Sequence, residues 1–188
     1  FHRHGVDIIP RTVPKSALSF IRPHNGKRAI VRCGKEEYDG PFPRLTEVDD
    51  YHAVHVDGHQ IDAALYHTKL CRELGVLTSL DGGSVREGTE ELLGFIDVAI
   101  VSEQFCKELG HSDRYGEALA YLRSKGVKIG AVTCGERGVW FFEGDGDVRH
   151  LDAITVPQER VVDANGAGDI FHGAYLHSYL QDPHASWE

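Results

Sequence analysis

The sequence predicts an α/β fold in which a mainly parallel sheet is sandwiched by helices, a Rossmann-like arrangement. Short β-branched runs alternate with longer segments that carry apolar residues at helical spacing, and 41% of the 188 residues are hydrophobic. A chain of this length can bury one substantial core, which predicts a single main domain. Ligands of such sheets gather at the carboxyl ends of the strands, so polar residues there are functional candidates.

The first predicted element is a hairpin. Residues 17–22 and 28–32 alternate as strands do, and Asn25-Gly26 between them favours a tight turn. This hairpin precedes the alternation of strands and helices. We therefore expect residues 13–33 to form a lid or an edge element of the domain.

The alternation of strands and helices begins at residue 52. Predicted strands cover residues 52–56, 76–80 and 98–101, a strand–turn–strand segment covers 128–142, and predicted helices cover 61–74, 89–95, 103–109 and 113–125. Asp57, Asp81 and Ser102 fall at predicted strand ends. Each of these residues also suits an ordinary turn or helix cap. Arg86, after a glycine-rich turn, suits a substrate phosphate, a pair with Asp81 or an ordinary surface position.

The most informative stretch joins predicted strands at 154–156 and 161–162 to a predicted helix over 170–180. The segment Gly166–Gly168 lies where that helix begins, and unpaired amides and the helix macrodipole make such a place a natural site for a phosphate oxygen. Asp169, in the first turn, is placed to accept the proton of an attacking hydroxyl. The alternative is a capping acid on an ordinary glycine-rich connector.

Residues 163–173 read DANGAGDIFHG, which resembles the second signature of the ribokinase-type (PfkB) carbohydrate kinases, Asp-Thr-x-Gly-Ala-Gly-Asp followed by Phe-x-Gly. The resemblance implies a ribokinase-like fold and ATP-dependent phosphorylation of a sugar hydroxyl. It implies Asp169 as the catalytic base, and Asp163 as a residue near magnesium and a monovalent cation such as K⁺. Ala164 occupies the place of the usual Thr, so any role of that hydroxyl is lost. The implied anion hole for the transferred phosphoryl group consists of Gly166, Ala167 and Gly168.

Two further segments bear on the nucleotide. Residues 133–138, TCGERG, are similar to the Thr-x-Gly-x-x-Gly hairpin that the family places beside ATP, although two glycines in a hairpin also have an ordinary structural explanation. Ser102-Glu103-Gln104-Phe105 occupies the place of an Asn-x-x-Glu motif that helps to organise magnesium and phosphate. Ser and Phe depart from that motif, so its roles transfer only with a different geometry. The nucleotide-binding residues implied by these two segments are Thr133, Gly135, Gly138, Ser102 and Glu103.

The resemblance extends from about residue 13 to residue 180, and family members are longer at both ends. We therefore expect residues 1–188 to be one incomplete kinase domain, without most of the small β lid and without the residues that read the sugar. The departures at 102–105 also occur in the branch that looks like ketohexokinase and bacterial sugar kinases, which favours a ketose as the substrate. Two alternative functions stay open: a nucleoside kinase of the adenosine kinase type, and an inactive sugar- or nucleotide-binding regulator. The lid also offers a route to a homodimer.

The composition argues against several other classes of protein. The net charge of -9 disfavours nucleic acid or an anionic membrane as the main partner. The most apolar window, residues 92–101, contains Asp97 and is too short to span a bilayer, so we expect a cytoplasmic protein. The histidines lack metal-ligand spacing, and the acidic loop at 143–147 suits a solvated hairpin tip better than a calcium site. Reduced thiols in or near the core are expected for Cys33, Cys71, Cys106 and Cys134.

Overall fold

The computed structural model describes residues 2–15, 18–24, 27–34, 38, 40–184 and 187. The strands are β1 (Leu18–His24), β2 (Lys27–Cys33), β3 (Ala53–Val56), β4 (Leu77–Gly82), β5 (Val98–Ser102), β6 (Ile129–Thr133), β7 (Val139–Glu143) and β8 (Arg149–Leu151). The α-helices are α1 (Ile61–Leu74), α2 (Thr89–Leu93), α3 (Glu103–Glu108), α4 (Tyr115–Ser124) and α5 (Ala167–Gln181). Within the described ranges, none of these helices has the length and apolar character needed to cross a membrane.

Six of the strands form one sheet in the order β3-β4-β5-β6-β7-β8. The first four are parallel to one another, and β7 and β8 are antiparallel. Parallel neighbours need a crossover connection, which α1, α2 and the α3–α4 pair supply. The predicted mainly parallel α/β fold is confirmed. Because the parallel strands end at one edge of the sheet, the loops that follow them meet there.

Helices α1 to α4 cover one face of the sheet. Gly130 in β6 makes room for the core on this face, because a Cβ there would lie 2.3 Å from the Phe142 ring on β7. Each large side chain buried in this core contributes about 1.5–3 kcal/mol of hydrophobic stabilisation. Fully buried members of the core include Val101, Val132, Phe142, Phe105, Leu119 and Leu122.

Helix α5 covers the opposite face. Its buried residues are His172 and Tyr175, and Tyr175 packs with strand residues of the sheet's second apolar cluster. Phe171 and Tyr179 pack against the margin of the same cluster. The sheet is therefore sandwiched between helices, but the second face is covered by one helix that is mostly exposed. The strand residues of this cluster are Val98, Ile100, Ile129, Ala131, Val139 and Phe141.

Among the described strands, β1 and β2 pair only with each other, as an antiparallel sheet of two strands. The predicted turn at 25–26 lies outside the described residues. Phe20 opposes Val31 across the pair, and both side chains are exposed. The two predicted strands are thus present. That residues 13–33 serve as a lid or an edge element stays a prediction.

The structure differs from the predictions in three details. Residues 154–156 and 161–162 are irregular instead of forming strands, with Ile154 91% exposed and Val162 93% exposed. A β-branched run forms a strand only where a neighbour supplies hydrogen bonds, and the described strands leave this segment unpaired. Strand β8 was not predicted, and it pairs with β7 just before that segment. Finally, Cys33 is exposed, whereas the other three thiols are buried as expected.

A buried carboxylate joins the amino ends of the strands. Asp97 precedes β5 and is 5% exposed, and its Oδ2 accepts the Thr78 amide at 3.1 Å and the Thr78 hydroxyl at 2.9 Å. Its Oδ1 lies 2.8 Å from Lys128 Nζ and 3.7 Å from the Arg72 guanidinium. Burial acts to raise the pKa of Asp97, but the Lys128 contact and the Thr78 hydrogen bonds outweigh it and hold the pKa below its usual value.

Candidate active site

Polar residues mark the carboxyl ends of the four parallel strands. Asp57 follows β3, Asp81 is the penultimate residue of β4, Ser102 ends β5 and Thr133 ends β6. Ser102 and Thr133 are register partners across β5 and β6. The Ser102 hydroxyl donates to the carbonyl of Gly83, in the loop after β4, at 2.8 Å. The parallel topology thus brings these residues, several of them predicted, to one edge of the sheet.

The glycine-rich stretch forms the amino end of α5, as predicted. Gly166 is the N-cap residue, and its φ of +77° is a left-handed conformation that glycine adopts at little cost. The Ile170 amide donates to the Gly166 carbonyl at 3.0 Å, which is the first hydrogen bond of the helix. The Ala167 amide donates to the Ala164 carbonyl at 3.3 Å, so it is used inside the turn.

After the Ala167 amide, the next two amides at this end of α5 also have no carbonyl acceptor within the helix. They belong to Gly168 and Asp169, and both residues are exposed. Asp163 closes the preceding turn, because its Oδ1 accepts the Asn165 amide at 2.8 Å. The Asp169 carboxylate lies beside the cap, with Oδ2 3.6 Å from the position of a Cβ on Gly166. An amide pair and a carboxylate therefore share this end of the helix.

Charged residues near the amino end of α5 also affect His55 in β3. The protein surroundings of His55 lower its pKa by desolvating the ring, and the neighbouring His172 lowers it further. The carboxylates of Asp81, Asp57 and Asp169 act in the opposite direction. Asp57, Asp81 and Asp169 therefore each favour the protonated form of the His55 ring.

A contact between α5 and β4 was not predicted from the sequence. His172 Nε2 lies 3.3 Å from Asp81 Oδ1, and His172 is only 7% exposed. Burial acts to raise the pKa of Asp81, but the hydrogen bond with His172 and the histidine charges nearby hold it below its usual value. The His55 ring lies 5.5 Å from the His172 ring, and His55 Nδ1 is 3.0 Å from Ser79 Oγ. Ser79 and Asp81 are two residues apart in a buried strand, so their side chains lie on the same face of it. This spacing is the sequence signal that could have placed the two residues together.

The turn after β6 contains the predicted nucleotide-binding glycines. Gly135 begins a 3-10 turn with a φ of +57°, and a Cβ there would meet no atom within 4 Å. Gly138 differs, because a Cβ there would lie 1.9 Å from the carbonyl oxygen of Leu151 in β8. Thr133 donates its hydroxyl to the Val101 carbonyl at 3.3 Å. Close packing against β8 thus accounts for Gly138, whereas Gly135 faces open space.

Ser102 and Glu103, the other two predicted nucleotide-side residues, are engaged with protein groups. The Ser102 hydroxyl caps α3 by accepting the Phe105 amide at 3.1 Å. The Glu103 carboxylate is paired with Arg137 and accepts the Tyr115 hydroxyl. Burial and this hydrogen bond raise the pKa of Tyr115. Glu103 therefore links the start of α3 to the turn after β6.

The described residues contain no group of three or more His, Cys, Asp or Glu side chains arranged to hold a metal ion. Magnesium that arrives with a nucleotide needs less, because one or two carboxylates bind it together with phosphate oxygens and water. Asp163 and Asp169 are exposed carboxylates at the amino end of α5. The residues present therefore fit a magnesium–nucleotide complex better than a resident metal.

Comparison with known proteins gives concordant matches. The family model described as pfkB family carbohydrate kinase matches residues 60–188. A ribokinase of Lactococcus lactis subsp. lactis is 30% identical over 117 residues, which is 62% of this chain and 36% of that protein. A ketohexokinase of Mus musculus is 26% identical over 195 residues, which is 95% of this chain and 64% of that protein. This chain thus covers less than two thirds of either relative.

A solved structure supports the same fold. The crystal structure of a putative ribokinase from Agrobacterium tumefaciens superimposes with a TM-score of 0.71 and 30% sequence identity. The superposition covers 86% of this chain and 54% of that one. The six-stranded sheet and its helices therefore have the architecture of ribokinase-like proteins.

Proposed function

The chain belongs to the pfkB family of carbohydrate kinases, and from this premise we propose that the whole protein transfers the γ-phosphoryl group of ATP to a sugar hydroxyl. The observation that carries the proposal is the amino end of α5. Gly166 caps the helix there, Gly168 and Asp169 are exposed residues, and the Asp169 carboxylate lies beside the cap. Phosphoryl transfer to a hydroxyl needs an anion site beside a proton acceptor, and this arrangement supplies both.

Asp169 is the proposed general base. Its exposed carboxylate accepts the hydroxyl proton as the oxygen attacks phosphorus. The anion site proposed here differs from the predicted set Gly166, Ala167 and Gly168, because the Ala167 amide is used within the turn. The amides of Gly168 and Asp169 and the macrodipole of α5 offset the negative charge on the transferred group. The transition state of phosphoryl transfer is loose, so positioning and charge stabilisation contribute most of the catalysis and a weak base suffices.

The nucleotide is proposed to lie along the ends of β5 and β6. Kinases of this family use ATP with Mg²⁺, and the metal neutralises phosphate charge when it is bound. The open turn at Gly135 allows the nucleotide to approach the backbone closely, and the hydroxyls of Thr133 and Ser102 would bind it in exchange for their present protein partners. Glu103 reaches the metal only after its ion pair with Arg137 opens.

Asp163 is the proposed carboxylate near magnesium, and a monovalent cation such as K⁺ is proposed beside the same turn. The support is its place at the entry to α5, where its Oδ1 already shapes the backbone through Asn165. Measuring activity in K⁺ and in tetramethylammonium buffers tests the cation. Equal activity in both buffers would remove the K⁺ site from the proposal.

The proposed acceptor is a ketose or a related carbohydrate. The support is the extent of the match to mouse ketohexokinase, 95% of this chain, against 62% for the ribokinase. The chain spans only part of both relatives, so the acceptor must be identified by experiment. A nucleoside kinase and a catalytically inactive regulator are the alternatives that the experiment distinguishes.

The test is phosphoryl transfer from labelled ATP to a panel of ketoses, aldoses and nucleosides, with the whole protein and its Asp169→Asn variant. Transfer to ketoses that is lost in the variant is the expected result. Asp182→Asn, the same change at the opposite end of α5, is the matched control and should keep full activity. Transfer to nucleosides alone would replace the proposed acceptor, and ATP binding without any transfer would favour the regulator.

Recovery of the protein in the cytosolic fraction would support the cytoplasmic location proposed with this function.

A homodimer through the β1–β2 hairpin is the proposed assembly. Leu18 and Phe20 alternate onto one face of the hairpin, and Val31 opposes Phe20, so these three exposed side chains share a face. Sedimentation of the whole protein should show a dimer that Phe20→Lys converts to monomers. Val148→Lys changes an exposed valine elsewhere and is the control. A dimer that persists in Phe20→Lys would refute this interface.

A further inference from the structure

Helix α5 is attached to the sheet unevenly along its length. Aromatic side chains hold its middle and later turns, where Tyr175 is buried and Tyr179 packs against the sheet cluster. The residues of its first turn, Ala167 to Ile170, are all exposed. That turn carries the proposed base and anion site. Its position therefore depends on the contacts that α5 makes immediately after it.

His172 makes such a contact. It follows Asp169 by three residues, so the two lie one helical turn apart on neighbouring positions of the helix surface. Its ring is 7% exposed, and Nε2 lies 3.3 Å from Asp81 Oδ1 at the end of β4. Its Nδ1 is buried without a hydrogen-bond partner among the described residues, so Asp81 supplies the polar contact of the ring.

The surroundings hold both partners in place. The His55 ring packs 5.5 Å from the His172 ring, and His55 is itself held by Ser79 through a 3.0 Å contact. Asp81 belongs to a strand paired on both sides, since β4 lies between β3 and β5. The backbone of Asp81 is thus fixed within the sheet, and His172 is the residue of α5 that contacts its carboxylate.

We propose that Asp81 and His172 are positioning residues, whose contact fixes the first turn of α5 over the carboxyl end of β4. The contact thereby aligns the Asp169 carboxylate and the Gly168 amide with each other and with the sheet edge. This inference rests on the proposed phosphoryl transfer for its consequence in catalysis. The alignment itself is a property of the fold and can be measured without turnover.

The expected kinetic effect falls on turnover. A displacement of about 1 Å in a reacting group can lower the rate about 100-fold. His172→Ala should therefore lower kcat by about 10- to 100-fold. Its KM for ATP should change less than about threefold, because the other proposed nucleotide contacts lie along β5 and β6 and only the transferred phosphoryl group reaches α5.

The experiment combines steady-state kinetics with hydrogen–deuterium exchange of the peptide covering residues 166–171, both in the whole protein. His172→Ala and Asp81→Ala should each speed exchange in that peptide, and the double variant should be no faster than either single one. His172→Gln, whose amide nitrogen can reach the place of Nε2, should restore slow exchange and most of kcat. His177→Ala, an exposed histidine on the same helix, is the control and should change neither readout.

Two outcomes would overturn the inference. The first is unchanged exchange at 166–171 in His172→Ala. The second is faster exchange with an unchanged kcat. Failure of the proposed function is recognised separately, because the unmodified protein would then transfer no phosphoryl group to any acceptor, while the exchange rates still show whether the contact fixes the turn.

Discussion

The two ends of the parallel sheet use their carboxylates differently. At the amino ends, Asp97 has both polar groups of Thr78 on one oxygen and Lys128 on the other. At the carboxyl ends, Asp169 is exposed, and its side chain makes no hydrogen bond or ion pair with the residues that the structure describes. A buried carboxylate with these partners contributes to the stability of the fold, whereas an exposed one is available to an incoming group.

This difference separates stability from chemistry within one sheet. Buried polar groups are costly when they lose their partners, so the amino-end network contributes to the free energy of unfolding. An exposed carboxylate contributes little to stability, so its removal lowers activity only if the reaction uses it. Changing one residue at each end should therefore give opposite phenotypes.

The largest expected effect is that of Asp169→Asn on turnover. Loss of a general base lowers kcat by about 10²- to 10⁴-fold, while the exposed position predicts little change in the urea midpoint of unfolding. Steady-state kinetics and urea titration of the same sample measure both quantities. A variant with full activity would remove Asp169 from the mechanism, and a large shift of the urea midpoint would show that it is structural.

Asp97→Ala should give the reverse phenotype. The buried amide of Thr78 loses its acceptor, while the Thr78 hydroxyl keeps the Phe95 carbonyl, so the free energy of unfolding should fall by about 1–3 kcal/mol. The kcat of the folded fraction should not change, because the residue lies at the opposite end of the sheet from Asp169. Urea unfolding measures the loss, with the exposed Asp152→Ala as the control. A loss below about 1 kcal/mol would mean that water replaces the carboxylate.

A glycine at the carboxyl end breaks the simple division between the two ends. Gly138 lies beside the proposed nucleotide site, yet a Cβ there would meet the Leu151 carbonyl oxygen at 1.9 Å. Gly138→Ala should cost about 1–3 kcal/mol of stability through this clash. Gly135→Ala has open space and only a strained φ, so about 1 kcal/mol is expected. Equal losses in urea unfolding would show that β8 moves aside without cost.

The sequence was sufficient where structure depends on local pattern. The strands and helices from β3 to α4 follow from hydrophobic periodicity, and the helix start at Gly166 follows from a signature within a few residues. The sequence did not show which distant segments pair with each other. Residues 154–156 have the composition of a strand but pair with none of the described strands, and β8 was missed because it is a short edge strand that pairs antiparallel with β7.

The candidate site divides in the same way. Asp169 could be predicted because its position in the first turn of a helix is local information. The contact of Asp81 with His172 could not, since it joins a strand and a helix that are far apart in the chain. The engagement of Glu103 by Arg137 likewise depends on how two loops meet at the sheet edge.

The pH dependence of stability offers a finer comparison of the two ends. The pKa of Asp97 is lower in the folded state than its ordinary value near 3.9, so the folded carboxylate binds fewer protons than the unfolded one. Its contribution is therefore complete above about pH 4 and is lost as the pH falls through the folded-state pKa. Asp97→Asn should flatten the fall in unfolding free energy between about pH 5 and pH 2. An unchanged pH profile would assign the acid sensitivity to other carboxylates, such as Asp81.

Ser102→Ala should have the smallest effect, and it decides how far the nucleotide site extends along β5. The hydroxyl caps α3 through the Phe105 amide and donates to the Gly83 carbonyl, so its removal should cost about 1 kcal/mol of stability. If those contacts are its whole role, the KM for ATP stays within about twofold of the original value. A severalfold rise in KM with unchanged stability would instead show that the hydroxyl leaves the cap to bind the nucleotide. Ser124→Ala, at an exposed hydroxyl on α4, controls for the loss of a serine elsewhere.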